Sequence, residues 1–215
     1  MYKNFETGRS MIEMLGVLAI VGVLSVAGIA GYGKAMEKWK TNHAIEDYSL
    51  IIHGLLEHID DIHRMPQPDA VGLTEIANSL NLIPNNWEIL DTIYMRDAYG
   101  NTIGLSVHPQ ASGMPARISF DLLLGGIQSS DNGSFSPAFS VHLCRSLFTD
   151  LIMPINSSIW ATAVNKKKSG WKNYYSNNWC GKNMNCLGDL TITQIDDLCR
   201  SCDGGKEACS VNISF

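Results

Sequence analysis

The sequence predicts an α+β protein: a long N-terminal helix packed on an antiparallel sheet, with a disulfide-bounded C-terminal region. Three observations carry this. From Met14 to Gly33 no charged residue occurs, twenty positions in a row. From Ile45 to Ile62 apolar residues recur at steps of three and four, the period of one helix face. Beyond Trp87 the apolar residues alternate with polar ones in short runs, the period of a half-buried strand, and all six cysteines lie at or after Cys144.

Twenty apolar helical residues rise about 30 Å, the thickness of a bilayer core. The membrane-spanning helix that carries this run is expected over residues 9–33, preceded by a short polar segment, residues 1–8. At its mouth stands Glu13. A carboxylate beside an apolar span is costly and calls for a partner. It lies five residues beyond Gly8, and no other nearby glycine has a glutamate at that spacing. A secretory signal would end its apolar stretch at a small-residue cleavage site, and this run is long for one. A plain membrane anchor accounts for the length but leaves Gly8 and Glu13 to coincidence.

Residues 34–65 continue the helix as an amphipathic one. Ile45, Tyr48, Ile52, Leu55, Ile59 and Ile62 form the apolar stripe, and Glu37, Lys38, Lys40, Glu46, Asp47, Glu57, Asp60 and Asp61 the wet faces. A seam of three turns is short for a coiled coil, so the stripe is expected to pack on the sheet. Pro66 and Pro68 end the helix near His63. His53, His58 and His63 recur every five residues, not at the i, i+4 spacing of a helical metal pair.

Residues 66–215 form the head. A short helix is expected from Thr74 to Leu82, capped by Thr74. Ile93–Met95 and Thr102–Val107 flank a turn and read as a hairpin. Arg117 to Leu124 alternates as a strand and stops at Gly125-Gly126. Ala138–Val141 reads as a further strand, His142 to Val164 as a helix interrupted at Pro154, and Val211–Phe215 as the last strand.

The formal charge of −5 gives no electrostatic case for general nucleic-acid binding. Cys144, Cys180, Cys186, Cys199, Cys202 and Cys209 make an even set beyond a membrane segment, which suggests disulfides in an oxidising compartment. Lysine and arginine flank the apolar run on both sides, so the cysteines orient the chain: leader inside, head outside. A zinc site is the alternative, with Cys199 and Cys202 as one arm, but five residues separate Cys180 from Cys186, wider than paired ligands. No phosphate loop, nucleophile elbow or His-Glu-x-x-His occurs, so no enzyme, cofactor or metal is expected. Lys166, Lys167, Lys168, Trp171, Lys172, Tyr174 and Tyr175 interleave lysines with aromatics, a candidate patch for a host surface, a glycan or a strand of DNA. The alternative there is a solvated loop with its aromatics tucked beneath.

Gly8-Arg9-Ser10-Met11-Ile12-Glu13 followed by the uncharged run resembles a type IV prepilin, cut after the glycine with Glu fifth in the mature chain. The size, the helix after Cys144 and the ending Ala208 to Phe215 are most similar to the type IVb pilins. Two positions depart from the family pattern. Arg9 stands where an apolar residue usually begins the mature chain, and Ala30 where many members carry proline. The resemblance implies a pilin fold, cleavage and N-methylation at Gly8/Arg9 by a prepilin peptidase, and pairing of Glu13 with the new amine of a neighbouring copy. It implies residence in the inner membrane, an inner-membrane assembly platform as partner, and polymerisation into a surface filament for adhesion, aggregation, motility or DNA transfer. A pseudopilin of a type II secretion system shares the same N-terminus, and a tethered extracytoplasmic binding protein would keep its leader. The resemblance also favours Cys144–Cys209, with Cys199 or Cys202 as the next partners, leaving local bridges Cys180–Cys186 and Cys199–Cys202.

Overall fold

A computed structural model describes residues 11–64, 69–110, 116–125, 128–130, 133–135, 140–166, 170–202 and 209–215. The chain divides into two compact units, one up to Lys40 and one from Thr41 to Phe215. Helix α1 (Met11–Glu57) contributes to both.

In the first unit, α1 is apolar on every side from Met14 to Gly33 and unburied there. Met11 is 83% exposed, Val26 70% and Ile29 74%. By length and composition this helix is long and apolar enough to cross a membrane. Ser25, the one hydroxyl deep in the run, donates to the Val21 carbonyl oxygen at 2.7 Å and so hides its polarity on its own helix.

The second unit holds the core. The expected stripe is borne out: Ile45, Tyr48, Ile52, Leu55 and Ile62 are buried and Ile59 packs beside them. The helix expected to run unbroken to His63 steps at His58, dividing α1 from α2 (Ile59–His63). The short helix α3 (Thr74–Ser79) follows β1 (Val71–Gly72). Its cap position is Leu73, not Thr74, because the Thr74 hydroxyl donates instead to the Asp91 carbonyl oxygen at 2.8 Å.

The remaining strands are β2 (Glu88–Ile89), β3 (Tyr94–Arg96), β4 (Thr102–His108), β5 (Arg117–Leu123), the small pair β6 (Gln128–Ser130) and β7 (Gly133–Phe135), β8 (Ala161–Lys166), β9 (Gly170–Tyr175) and β10 (Cys209–Ser214). The main sheet is wholly antiparallel, ordered β2-β3-β4-β5-β10-β8-β9, with β1 pairing β4. The C-terminal strand therefore lies in the middle of the sheet, with Ile213 opposite both Phe120 and Thr162. Alternation sends Ile103, Leu105 and Val107 of β4, Ile118, Phe120 and Leu122 of β5, and Val211 and Ile213 of β10 into the core. Tyr48 of α1 meets the Phe120 ring edge-on at 6.2 Å and the Trp87 ring at 5.9 Å.

The helix expected from His142 is present up to Ile152, while the residues before and after it depart from expectation. Val141 opens a helix instead of ending a strand: Ser140 caps α4 (Val141–Ser146), its side chain accepting from the Leu143 N–H at 3.2 Å. The rest of the strand expected over 138–141 lies outside the described residues up to Ser140. A wide turn at Leu147–Ile152 and a tight one at Asn156–Ser158 follow, and Ala161–Val164, expected as helix, form the start of β8. Pro154 stops the helix, and strands on both sides of β8 satisfy its backbone groups better than a helix end could. Residues 170–175, for which the sequence offers a binding patch or a solvated loop, are β9, and helix α5 (Ile192–Arg200) follows a short turn at Leu187–Asp189. Its Thr191 and Gln194 make a reciprocal capping box, which the spacing Thr-x-x-Gln announces.

Candidate functional site

Two regions bear on function: the unburied apolar helix and the disulfide-bounded region around α5. Glu13 lies near the start of the described part of α1. Gly8 and Arg9 lie outside the described residues. Gly16, Gly22, Gly28, Gly31 and Gly33 have no atom within 4 Å of where a Cβ would stand. Small positions of this kind on an apolar helix let another helix approach closely in lipid.

The six cysteines form three disulfides, Cys144–Cys199, Cys180–Cys186 and Cys202–Cys209, which leaves no thiolate for zinc. Cys180–Cys186 is as expected. The favoured Cys144–Cys209 and the local Cys199–Cys202 are not formed. The reason is α5. Its buried side presents Ile195, Leu198 and Cys199, and Cys199 meets Cys144 on α4 with Cα atoms 5.9 Å apart. Cys202 lies past the end of α5, turned to Cys209 at the start of β10 with Cα atoms 5.8 Å apart. Beside the first bridge Arg145 pairs with Asp196, and Asp196 accepts from Arg200 at 2.8 Å. These hydrogen bonds and charges hold the Asp196 carboxyl below its usual range.

Of the lysine–aromatic patch, Lys167 and Lys168 lie outside the described residues. Strand β9 divides the rest by alternation. Lys172 and Tyr174 are on the face shared with Lys166, and Trp171 and Tyr175 are on the other. Lys166, Lys172 and Tyr174 line a recess of about 380 Å³ with Asn185, Gln194 and Asp197, and the Lys172 ammonium sits 5.4 Å from the Tyr174 ring centre. Tyr174 itself is buried, so what it offers a partner is little more than a wall. Trp171 is exposed and Tyr175 packs edge-on against Trp160 at 5.5 Å.

Two polar networks go beyond the sequence expectations. On the helix side, Tyr48 donates to Asp97 Oδ2 at 2.6 Å and Asn101 Nδ2 to the same oxygen at 2.6 Å. Asp97 Oδ1 accepts from the backbone of Tyr99 and Asn101, while Asn101 Oδ1 accepts from the Gly125 N–H at 2.8 Å. On the opposite face of the sheet, Asn212 donates to Ser119 at 2.6 Å and to Asp121 at 2.8 Å, and Ser214 donates to Asn212 at 2.8 Å. Burial raises the Asp121 carboxyl above its ordinary value, against the bonds from Asn212 and Ser119 that lower it. Burial and the nearby Arg117 lower His108. The alternation Arg117-Ile-Ser119-Phe-Asp121 signals the second network. The first joins residues far apart in the chain and has no local signal.

Comparisons of the chain with protein-family models, with curated proteins and with solved structures return no match.

Proposed function

We propose that the chain is a type IV pilin of the IVb kind, a structural subunit and not an enzyme. It is made as an inner-membrane precursor with its leader inside, cut between Gly8 and Arg9 by a prepilin peptidase, and N-methylated on Arg9. The assembly platform then draws it into a surface filament used in adhesion, aggregation, motility or DNA transfer. The observation that supports this reading most is Glu13, five residues beyond Gly8, near the start of the described helix, whose apolar side chains stay unburied as far as Tyr32. Such a helix needs an apolar environment, first lipid and then the helices of other copies. Once Gly8 is removed, the Arg9 amine of one subunit is a cation that Glu13 of a staggered neighbour can meet. In an apolar filament core that hydrogen-bonded pair would set the register, and either half left alone would be a buried charge costing about 3–5 kcal/mol.

The test is the N-terminus. Mass spectrometry of the membrane-extracted protein and of sheared surface filaments is expected to find chains beginning at Arg9, and Gly8→Val to leave the precursor uncut. A mature protein beginning at Met1 would sink the proposal in favour of a tethered protein. A cleaved protein confined to the cell envelope beside a secretin would favour the secretion pseudopilus.

A further inference from the structure

Away from the helix and the lysines, a cavity of about 260 Å³ opens among α2, β5 and the segment before β8. Trp160, Trp179, Phe215, Ile159, Ser157 and Ser158 line it. Into it come Arg117 and His63, and each carries an anomaly. Among the described residues, Arg117 Nη1 and His63 Nε2 are both shielded from solvent and find no hydrogen-bond partner. A buried N–H donor left unpaired costs about 1–3 kcal/mol. Arg117 Nη1 is such a donor, and the His63 ring nitrogen in the same cavity is a second polar atom left over, donor or acceptor according to its tautomer.

Arg117 is held rather than loose. Its guanidinium lies over the Trp160 ring, 5.7 Å from the centre, and Trp160 in turn packs edge-on against Tyr175. Among the described residues no carboxylate lies within ion-pair distance of it. A planar guanidinium fork with an N–H to spare can recognise a carboxylate with two parallel hydrogen bonds. Trp179 is placed as deliberately. Asn178 Nδ2 donates to the Ser157 carbonyl oxygen at 3.0 Å, Asn177 N–H to Asn156 Oδ1 at 3.2 Å, and Trp179 N–H to the Ser176 carbonyl oxygen at 3.0 Å. The indole is nevertheless 54% exposed, an aromatic face left open beside the cavity.

We infer that this cavity binds the carboxylate-bearing ring of an acidic sugar, with Arg117 and His63 on the carboxylate. The chemistry of the lining selects this class. The cation with an unpaired donor selects an anion, and the planar fork of a guanidinium matches the planar carboxylate. The two indoles offer flat apolar surfaces to a ring, and the serine hydroxyls match ring hydroxyls. The volume lies just under the usual range for small-molecule pockets, which limits the occupant to one ring. The inference does not depend on cleavage or on filament assembly, since the site is complete within one subunit.

The test uses the full chain in a detergent without sugar headgroups, titrated with D-glucuronate, D-glucose and benzoate and followed by tryptophan fluorescence and calorimetry. Saturable binding of glucuronate is expected, with glucose at least tenfold weaker. Trp179→Ala, at an exposed site, and Arg117→Lys, which keeps the charge but loses the fork, should each weaken glucuronate at least fivefold. Trp171→Ala, on the far strand, should leave it unchanged. The absence of saturable glucuronate binding would overturn the inference, as would equal binding of glucose or wild-type affinity in both site variants. Benzoate binding more tightly than glucuronate would overturn the assignment to a sugar.

Discussion

The phenol of Tyr48 donates to the carboxylate of Asp97 across 2.6 Å, joining the amphipathic helix to the turn between β3 and β4. Asp97 sits at the centre of that turn, accepting on one oxygen from two backbone N–H groups and on the other from Tyr48 and Asn101. Both residues are buried, so the carboxylate has few other donors to turn to. The helix is therefore fastened to the sheet by directed bonds as well as by apolar burial.

Tyr48→Phe keeps the ring that packs on Phe120 and Trp87 and removes only the hydroxyl. Leaving a buried carboxylate oxygen short of one donor should cost about 1–3 kcal/mol. Denaturant melts of the two proteins should show that loss with an unchanged slope.

The disulfides should differ in weight. Cys144–Cys199 spans 55 residues, against 6 for Cys180–Cys186. The chain-entropy estimate gives about 4 kcal/mol for the first and about 2 for the second. Cys144→Ser paired with Cys199→Ser should thus lower the melting temperature and the amount of protein recovered more than Cys180→Ser paired with Cys186→Ser. Peptide mapping without reduction should recover Cys144 joined to Cys199, and Cys144 joined to Cys209 would contradict the pairing.

Asp121 makes stability depend on pH in an unusual direction. Its folded carboxyl titrates above the ordinary 3.8, because burial outweighs the bonds from Asn212 and Ser119. The folded state holds the proton longer than the unfolded one, so this contribution is full below 3.8 and is lost as pH rises through the folded value. Asp121→Asn keeps an oxygen to accept from Asn212 and removes the charge. Its melting temperature relative to wild type should therefore be higher at pH 7 than at pH 3.

The proposed assembly makes a separate prediction. Glu13→Gln should give a folded, cleaved membrane protein that builds few filaments, because the head lies in the other unit from this residue. Filament yield from sheared cells is the readout, and a normal yield would contradict the pairing with the Arg9 amine.

The sequence by itself determined the elements whose cause is local. The uncharged run, the three-and-four stripe and the alternation of β4, β5 and β10 each state their environment in their own period, and the fold class follows from them. The spacing of Gly8 and Glu13 likewise lies within one turn or two of chain. The tertiary structure alone decided what depends on partners distant in sequence. Ala161–Val164 became a strand because β10 and β9 flank it, and β10 lies mid-sheet because the chain returns there. Cys144 found Cys199 because α5 turns that cysteine toward α4, a direction that spacing does not encode. Asp97 beneath Tyr48, and His63 beside Arg117, Trp160 and Trp179, are meetings of separate segments. A helix or strand period reports which side of an element is buried. It does not report what the other elements place against that side, and the sites of this protein are made there.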